Sequence, residues 1–225
     1  MKMTMFPFKP FEVNAGKPTV IETGSHEIYQ KLILNFRDLK DDIKFSNDNF
    51  ETVDTSKAML WVGDSFVQAD LNKLFQHSLN KKIVSLVNDD QMQQIFELSQ
   101  QLKQVILESS YLMDLPLTIE EQTDIAKVIK FSEISFAKEI NVNPYGIIET
   151  ILKTAKELNL SSIVGFMNVT DYLTENEFSD LIESVKSLDV QILIIKFSES
   201  RRAERYNGCR YYYIDHDYVD LRESE

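Results

Sequence analysis

A chain of 225 residues, 43% hydrophobic and 11% aromatic, is long enough to bury the core of one or two domains. Its 24 basic against 36 acidic residues leave a formal charge of −12, which excludes a protein drawn to nucleic acid by overall positive charge. A single cysteine, Cys209, excludes an internal disulfide and a paired-thiol zinc knuckle, and no run approaches the ~18 consecutive apolar residues of a membrane span.

In chain order, the opening Met1 to Phe11 carries prolines and lacks the apolar run of a signal peptide, so a soluble, cytoplasmic protein without a membrane partner is expected. Lys17-Pro18-Thr19-Val20-Ile21-Glu22 reads as a short apolar strand and Thr23-Gly24-Ser25 as a turn. Ile28, Leu32, Ile33 and Phe36 then mark one face of a helix. A second strand is expected at Ala58-Met59-Leu60-Trp61-Val62, followed by Gly63-Asp64, a helix around Leu71, Leu74 and Phe75, and a separate apolar piece from Ile83 to Val87. Strands alternating with helices indicate an α/β sheet.

From Asn88 the pattern changes. Asp89 and Asp90 supply carboxylates for a helix N-terminus, and Ile95, Phe96, Leu98, Leu102, Val105 and Ile106 recur at helical spacing over a long helix. Thr118-Ile119-Glu120-Glu121 has capping-box spacing ahead of Ile125, Val128 and Ile129, which predicts a second helix starting there. Asn143-Pro144 opens a third, through Ile147, Ile148, Ile151 and Leu152, because proline's missing N–H costs nothing at the first helical position. Residues 89–159 thus read as a helical domain inserted between two parts, 1–88 and 160–225, of one α/β domain.

The sheet resumes at Ser162 to Asn168. A capping box at Thr174 and Glu177 starts a helix through Phe178, Leu181, Ile182 and Val185, and Val190 to Ile195 is a further strand. Arg201-Arg202-Ala203-Glu204-Arg205 reads as an exposed basic loop, and Tyr211-Tyr212-Tyr213-Ile214 as a last strand before Asp215-His216-Asp217.

Several of these blocks resemble one family in order and spacing. Val164-Gly165-Phe166-Met167-Asn168-Val169-Thr170-Asp171-Tyr172-Leu173-Thr174, with Glu177 and Leu181 after it, looks like the late strand-asparagine-loop-helix-strand block of the type II-A CRISPR accessory family. Tyr213-Ile214-Asp215-His216-Asp217-Tyr218 is similar to that family's terminal Ile-Asp-x-Asp element. Gly16 to Glu22, Val62-Gly63-Asp64-Ser65-Phe66 and Asp70 to Leu74 sit where the family carries comparable blocks. The chain departs from the pattern at Lys196, where an acid is expected, and in the loop Arg201 to Arg205.

The resemblance implies a nucleotide-binding-like α/β head, an inserted α-helical leg, a homotetrameric ring and calcium at the head-leg junction. It also implies double-stranded DNA ends threaded through the ring during spacer acquisition, with the integrase complex and the RNA-guided nuclease of the same locus as partners.

For calcium, which takes six to eight oxygen ligands, the candidates are Glu108, Glu120, Glu121 and Asp124. Glu120 and Asp124 would share a helical face, and an antiparallel return would bring Glu108 near. By residues alone a solvated acidic face is the favoured reading; the resemblance reverses that preference towards the metal. For DNA phosphates the candidates are Lys127 with Lys130, Lys153 with Lys156, Lys138 between them, and Lys17, contacts that give affinity without base reading. Closed symmetry would repeat each lysine around the hole, which is how an acidic chain can present a positive bore.

Enzymatic readings are thin. Asn14-Ala15-Gly16-Lys17-Pro18-Thr19 has a glycine-lysine pair, but it precedes a strand and a proline interrupts it, whereas a phosphate loop links a strand to a helix with lysine directly before Ser or Thr. His26, His77 and His216 stand far apart, and no nucleophile-base motif accompanies them. The expectation is therefore a non-enzymatic DNA-end-binding ring. Its rivals are an NTP-binding enzyme on a degenerate phosphate-loop fold and a protein scaffold that never touches DNA.

Overall fold

The computed structural model describes residues 1–40, 42–120, 122–137 and 143–222. The chain divides into two compact units, Met1–Asp70 with Lys138–Glu225, and Leu71–Ala137.

The first unit is built on two sheets. The smaller is antiparallel, ordered β2-β1-β4-β5, from β1 (Lys2–Met5), β2 (Phe11–Glu12), β4 (Ile43–Ser46) and β5 (Thr52–Val53). The larger is ordered β10-β9-β3-β8-β7-β6, from β3 (Thr19–Thr23), β6 (Met59–Gly63), β7 (Ile163–Met167), β8 (Ile192–Phe197), β9 (Arg210–Ile214) and β10 (Asp220–Arg222). Five of its strands run parallel, and β10 pairs antiparallel with β9. All five residues of β3 are buried, as a central parallel strand covered on both faces requires.

Helix α1 (His26–Asp38) follows β3 after Gly24 and Ser25, and the Ser25 hydroxyl accepts from the Ile28 N–H. Its buried Ile28, Leu32 and Phe36 fall on one stripe and join a core with Ile21, Leu193 and Ile195 of the large sheet. Met3, Met5, Phe11, Ile43 and Phe45 of the small sheet complete that core. Strand alternation turns Val20, Glu22, Ile192, Ile194, Tyr211 and Tyr213 to the opposite face, where all are buried. On that side Phe178 of α9 (Glu175–Leu188) meets Tyr206, which stacks on Tyr211. Helix α7 (Pro144–Glu157) packs on α9 through a stripe that includes Ile147, Ile148, Ile151 and Leu152.

The strand at Met59–Gly63 is preceded by a short turn, α2 (Thr55–Ala58), and followed by another, α3 (Ser65–Gln68). After β7 comes a third, α8 (Val169–Tyr172). Gly165 on β7 is required by close approach: a Cβ there would lie 2.6 Å from the Trp61 ring and 2.7 Å from the Met59 sulfur.

The second unit holds α4 (Leu71–Leu86), α5 (Asp89–Ser110) and α6 (Ile125–Phe131), with α6 against both of the others. Three expectations change here. Ile83 to Leu86 is the last turn of α4, not a separate piece, because the apolar stripe continues without a breaker. The capping box at Thr118 does not form: the described residues of that stretch are irregular, and α6 begins at Ile125, capped by Asp124. The unit spans Leu71–Ala137 and not 89–159, because α4 packs on α6, while α7 buries its apolar face in the first unit.

Other local signals act as expected. Thr174 and Glu177 form the reciprocal capping box of α9, and Asn143 caps α7 ahead of Pro144. At α5 the capping box is Asn88 with Gln91, while Asp89 and Asp90 sit in the first turn. Among the described residues, no helix is long and apolar enough to cross a membrane.

Candidate functional site

The lysines named from the sequence fall into separate groups. Lys127 and Lys130 are exposed on α6 in the second unit. Lys153 and Lys156 are exposed on α7 in the first, and the Lys153 ammonium is 2.9 Å from the Glu149 carboxylate, one turn earlier. Lys17 is half-buried in the turn before β3. Lys138 lies outside the described residues.

The carboxylates do not converge. Asp124 accepts from the Ala126 N–H as the cap of α6, Glu108 accepts from the Gln104 amide on α5, and Glu120 stands in the irregular stretch between those helices. Glu121 lies outside the described residues. The described residues between Thr118 and Asp124 are not helical, so Glu120 and Asp124 share no helical face. Among the described residues no group of three or more His, Cys, Asp or Glu is placed to hold a metal ion. Oxygens do gather nearby, around an ammonium: Lys103 Nζ donates to the Glu120 carbonyl at 2.8 Å, the Gln122 carbonyl at 2.9 Å and the Thr123 hydroxyl at 3.2 Å. The described members of the carboxylate set therefore do not fit a calcium shell within one chain.

Open α/β sheets bind ligands at the carboxyl ends of their strands. In this chain that edge is closed by its own groups. The link from β3 to α1 is Gly24 and Ser25 alone, and its N–H groups are taken. Gly24 donates to the Ile214 carbonyl, Ser25 to the Thr23 hydroxyl and Ile28 to the Ser25 hydroxyl. The Tyr213 hydroxyl lies 2.9 Å from where a Cβ of residue 24 would be, and His26 stacks on Phe197 at 4.4 Å. Gly24 and Ser25 therefore offer no N–H to a phosphate, and the Tyr213 hydroxyl crowds the link.

Beside this edge lies a polar network that the sequence pattern did not announce. Glu22, 1% exposed, accepts from the Tyr211 hydroxyl, from the Arg202 N–H at 3.1 Å and from the Tyr206 hydroxyl at 3.4 Å. Burial, reinforced by the bonds to Glu22, pushes the Tyr211 phenol far above its ordinary value, and burial pushes Tyr206 up to about 12. A lone acid in an otherwise apolar strand, with three consecutive tyrosines on a neighbouring one, was the signal that could have found it. Lys196, where an acid was expected, pairs with Asp171 just after β7.

The long helix α5 buries none of its residues, although its apolar positions recur at helical spacing. Leu98 is 64% and Val105 60% exposed, and Phe96, Leu102 and Ile106 are about half exposed. Between α5 and α6 lies a groove of about 640 Å³ lined by Ile95, Leu98, Leu102, Ile119, Val128 and Phe131 among others.

The family model described as CRISPR-associated protein (Cas_Csn2) matches residues 37–218. Among solved structures the chain is similar to Stu0660 of Streptococcus thermophilus, with a TM-score of 0.61 and 11% identity over 100% of this chain and 77% of that one. It is also similar to MJ1267, an ATP-binding cassette of an ABC transporter in its ADP conformation, with a TM-score of 0.45 and 11% identity. A nucleotide-free ATP-binding cassette has the same score at 12% identity, and both comparisons cover 96% of this chain and 84% of the other. No curated protein matches the chain in sequence. The α/β fold agrees with that of Stu0660, and the chain belongs to the type II-A Csn2 family of CRISPR-associated accessory proteins.

Proposed function

We propose that the protein is a non-enzymatic binder of double-stranded DNA ends that closes into a homotetrameric ring and acts in spacer acquisition. Its partners would be the integrase complex and the RNA-guided nuclease of the same locus. Family membership supports the setting. The observation that carries the assembly is α5, a 22-residue amphipathic helix whose apolar face is exposed in the single chain. Contiguous apolar surface of this kind marks a contact with another protein, and a second copy is the partner the ring requires. Calcium support for assembly rests on the family likeness alone.

Phosphate contacts would come from Lys127, Lys130 and Lys156, exposed on helices, with Lys153 shared with Glu149. They bind through charge, independent of base sequence, and weaken steeply with salt. A non-catalytic role is supported by the β3–α1 link, whose N–H groups already bond to the chain's own oxygens. Two measurements test the reading. Light scattering should give four copies, and a monomer with and without calcium would overturn the ring. Calorimetry with ATP and magnesium should show no binding, and saturable heat would favour the NTP-binding rival.

A further inference from the structure

The basic loop after β8 has no role in the reading above. Of the chain's six arginines, Arg37 pairs with Asp38, Arg222 with Asp220 and Arg210 with Glu12, while the Arg201 guanidinium lies over the Tyr211 ring. Arg202 and Arg205 remain, three residues apart, both exposed.

Their backbone is held by buried groups. The Arg202 N–H donates to Glu22, and Arg205 N–H closes a turn onto the Arg202 carbonyl at 3.0 Å. Residues Ala203–Tyr206 form a 3₁₀ turn, pinned by Tyr206, which is 2% exposed and stacked on Tyr211 at 5.2 Å. The segment begins at the carboxyl edge of the sheet, where the Ser198 N–H donates to the Thr23 carbonyl. Arg205 lines a cavity of about 320 Å³ with Thr170, Thr174, Phe178, Asn207 and the acids Glu175 and Glu204.

We propose that Arg202 and Arg205 form a second phosphate-binding site for duplex DNA, presented by a turn that buried Glu22 holds in place. The guanidinium fork matches a phosphate in two parallel hydrogen bonds, which a lysine cannot supply. A pre-ordered turn loses little conformational freedom on binding, unlike a loose basic loop. Glu175 and Glu204 oppose a polyanion, so the site adds to the proposed lysine contacts and does not recruit DNA alone. The inference therefore rests on the DNA-binding reading.

The test is fluorescence anisotropy of the full-length protein on a linear duplex across a salt series. It compares the unaltered protein, Arg202→Ala/Arg205→Ala, and Lys40→Ala/Lys57→Ala. The last removes two exposed cations elsewhere in the same unit and controls for net charge. The arginine variant should bind about tenfold more weakly, with the salt slope reduced by about 0.9 for each phosphate no longer neutralised, while the lysine variant stays near the unaltered protein. Equal weakening in both variants, or none in the arginine variant, would overturn the site but leave the DNA-binding reading standing. No binding by the unaltered protein would overturn that reading and the site with it.

Discussion

The hydroxyl of Tyr211 on β9 donates to the carboxylate of Glu22 on β3, so two neighbouring parallel strands share a buried charge-assisted hydrogen bond. The same carboxylate accepts from the Arg202 N–H, which ties the β8–β9 connection to the sheet. Replacing Glu22 with alanine takes the acceptor from the Tyr211 and Tyr206 hydroxyls and leaves the Arg202 N–H only the Tyr211 oxygen, and each unsatisfied buried group costs about 1–3 kcal/mol. Glu22→Ala should therefore lose about 3 kcal/mol in denaturant unfolding, and Glu22→Gln, which keeps one acceptor oxygen, clearly less. Equal losses would mean that the side chain acts by packing volume.

Alkaline pH should destabilise the protein through buried acids held in their neutral forms. Burial pushes the Cys209 thiol up to about 12 from its ordinary 9.0, and burial pushes Tyr172 and Tyr206 up to about 12 from 10.0. Above pH 9 the unfolded chain loses protons that the folded chain keeps, so stability falls as pH rises from 9 towards 12. Thermal midpoints should be flat through these groups below pH 9 and decline above it. A thiol reagent at pH 8 should label half-buried Cys209 more slowly in the native than in the unfolded protein, and equal rates would contradict its desolvation.

Lys103 should behave as the cation that organises Glu120, Gln122 and Thr123. Lys103→Met keeps the aliphatic stem but removes the donor to two carbonyls and the Thr123 hydroxyl. Hydrogen bonds to charged groups contribute about 1.5–3 kcal/mol each at most, so a loss of about 2 kcal/mol is expected in this partly exposed setting. The readout is faster proteolysis between Leu117 and Asp124 in the variant. Cleavage at the unaltered rate would show that the segment is held by other groups.

Much of this architecture was legible where local chemistry decides. Thr174 with Glu177 and Asn143 with Pro144 place helix starts because their side chains bond to backbone N–H groups only a few residues away. Parallel strands such as Ile163–Met167 stand out as apolar runs. The small sheet did not, since strands of two to four residues carry too little periodicity to register. Thr118 to Glu121 misled because capping-box spacing has no force without a helix to receive it, and here the cap is Asp124. The partners of Glu22 lie 180 to 189 residues away in the chain, so only the fold reveals them. The unit boundary was missed for the same reason: whether α4 and α7 join the sheet or the helices depends on which neighbours bury their apolar faces.

The central claim is a closed ring that takes duplex DNA by its ends. Mobility shifts with one duplex, supplied as a linear fragment and as a covalently closed circle of the same sequence, test it most directly. Retardation of the linear form alone, abolished when its ends are blocked by bulky adducts, is the predicted result. Equal retardation of the closed circle, or none of the linear fragment, would contradict it.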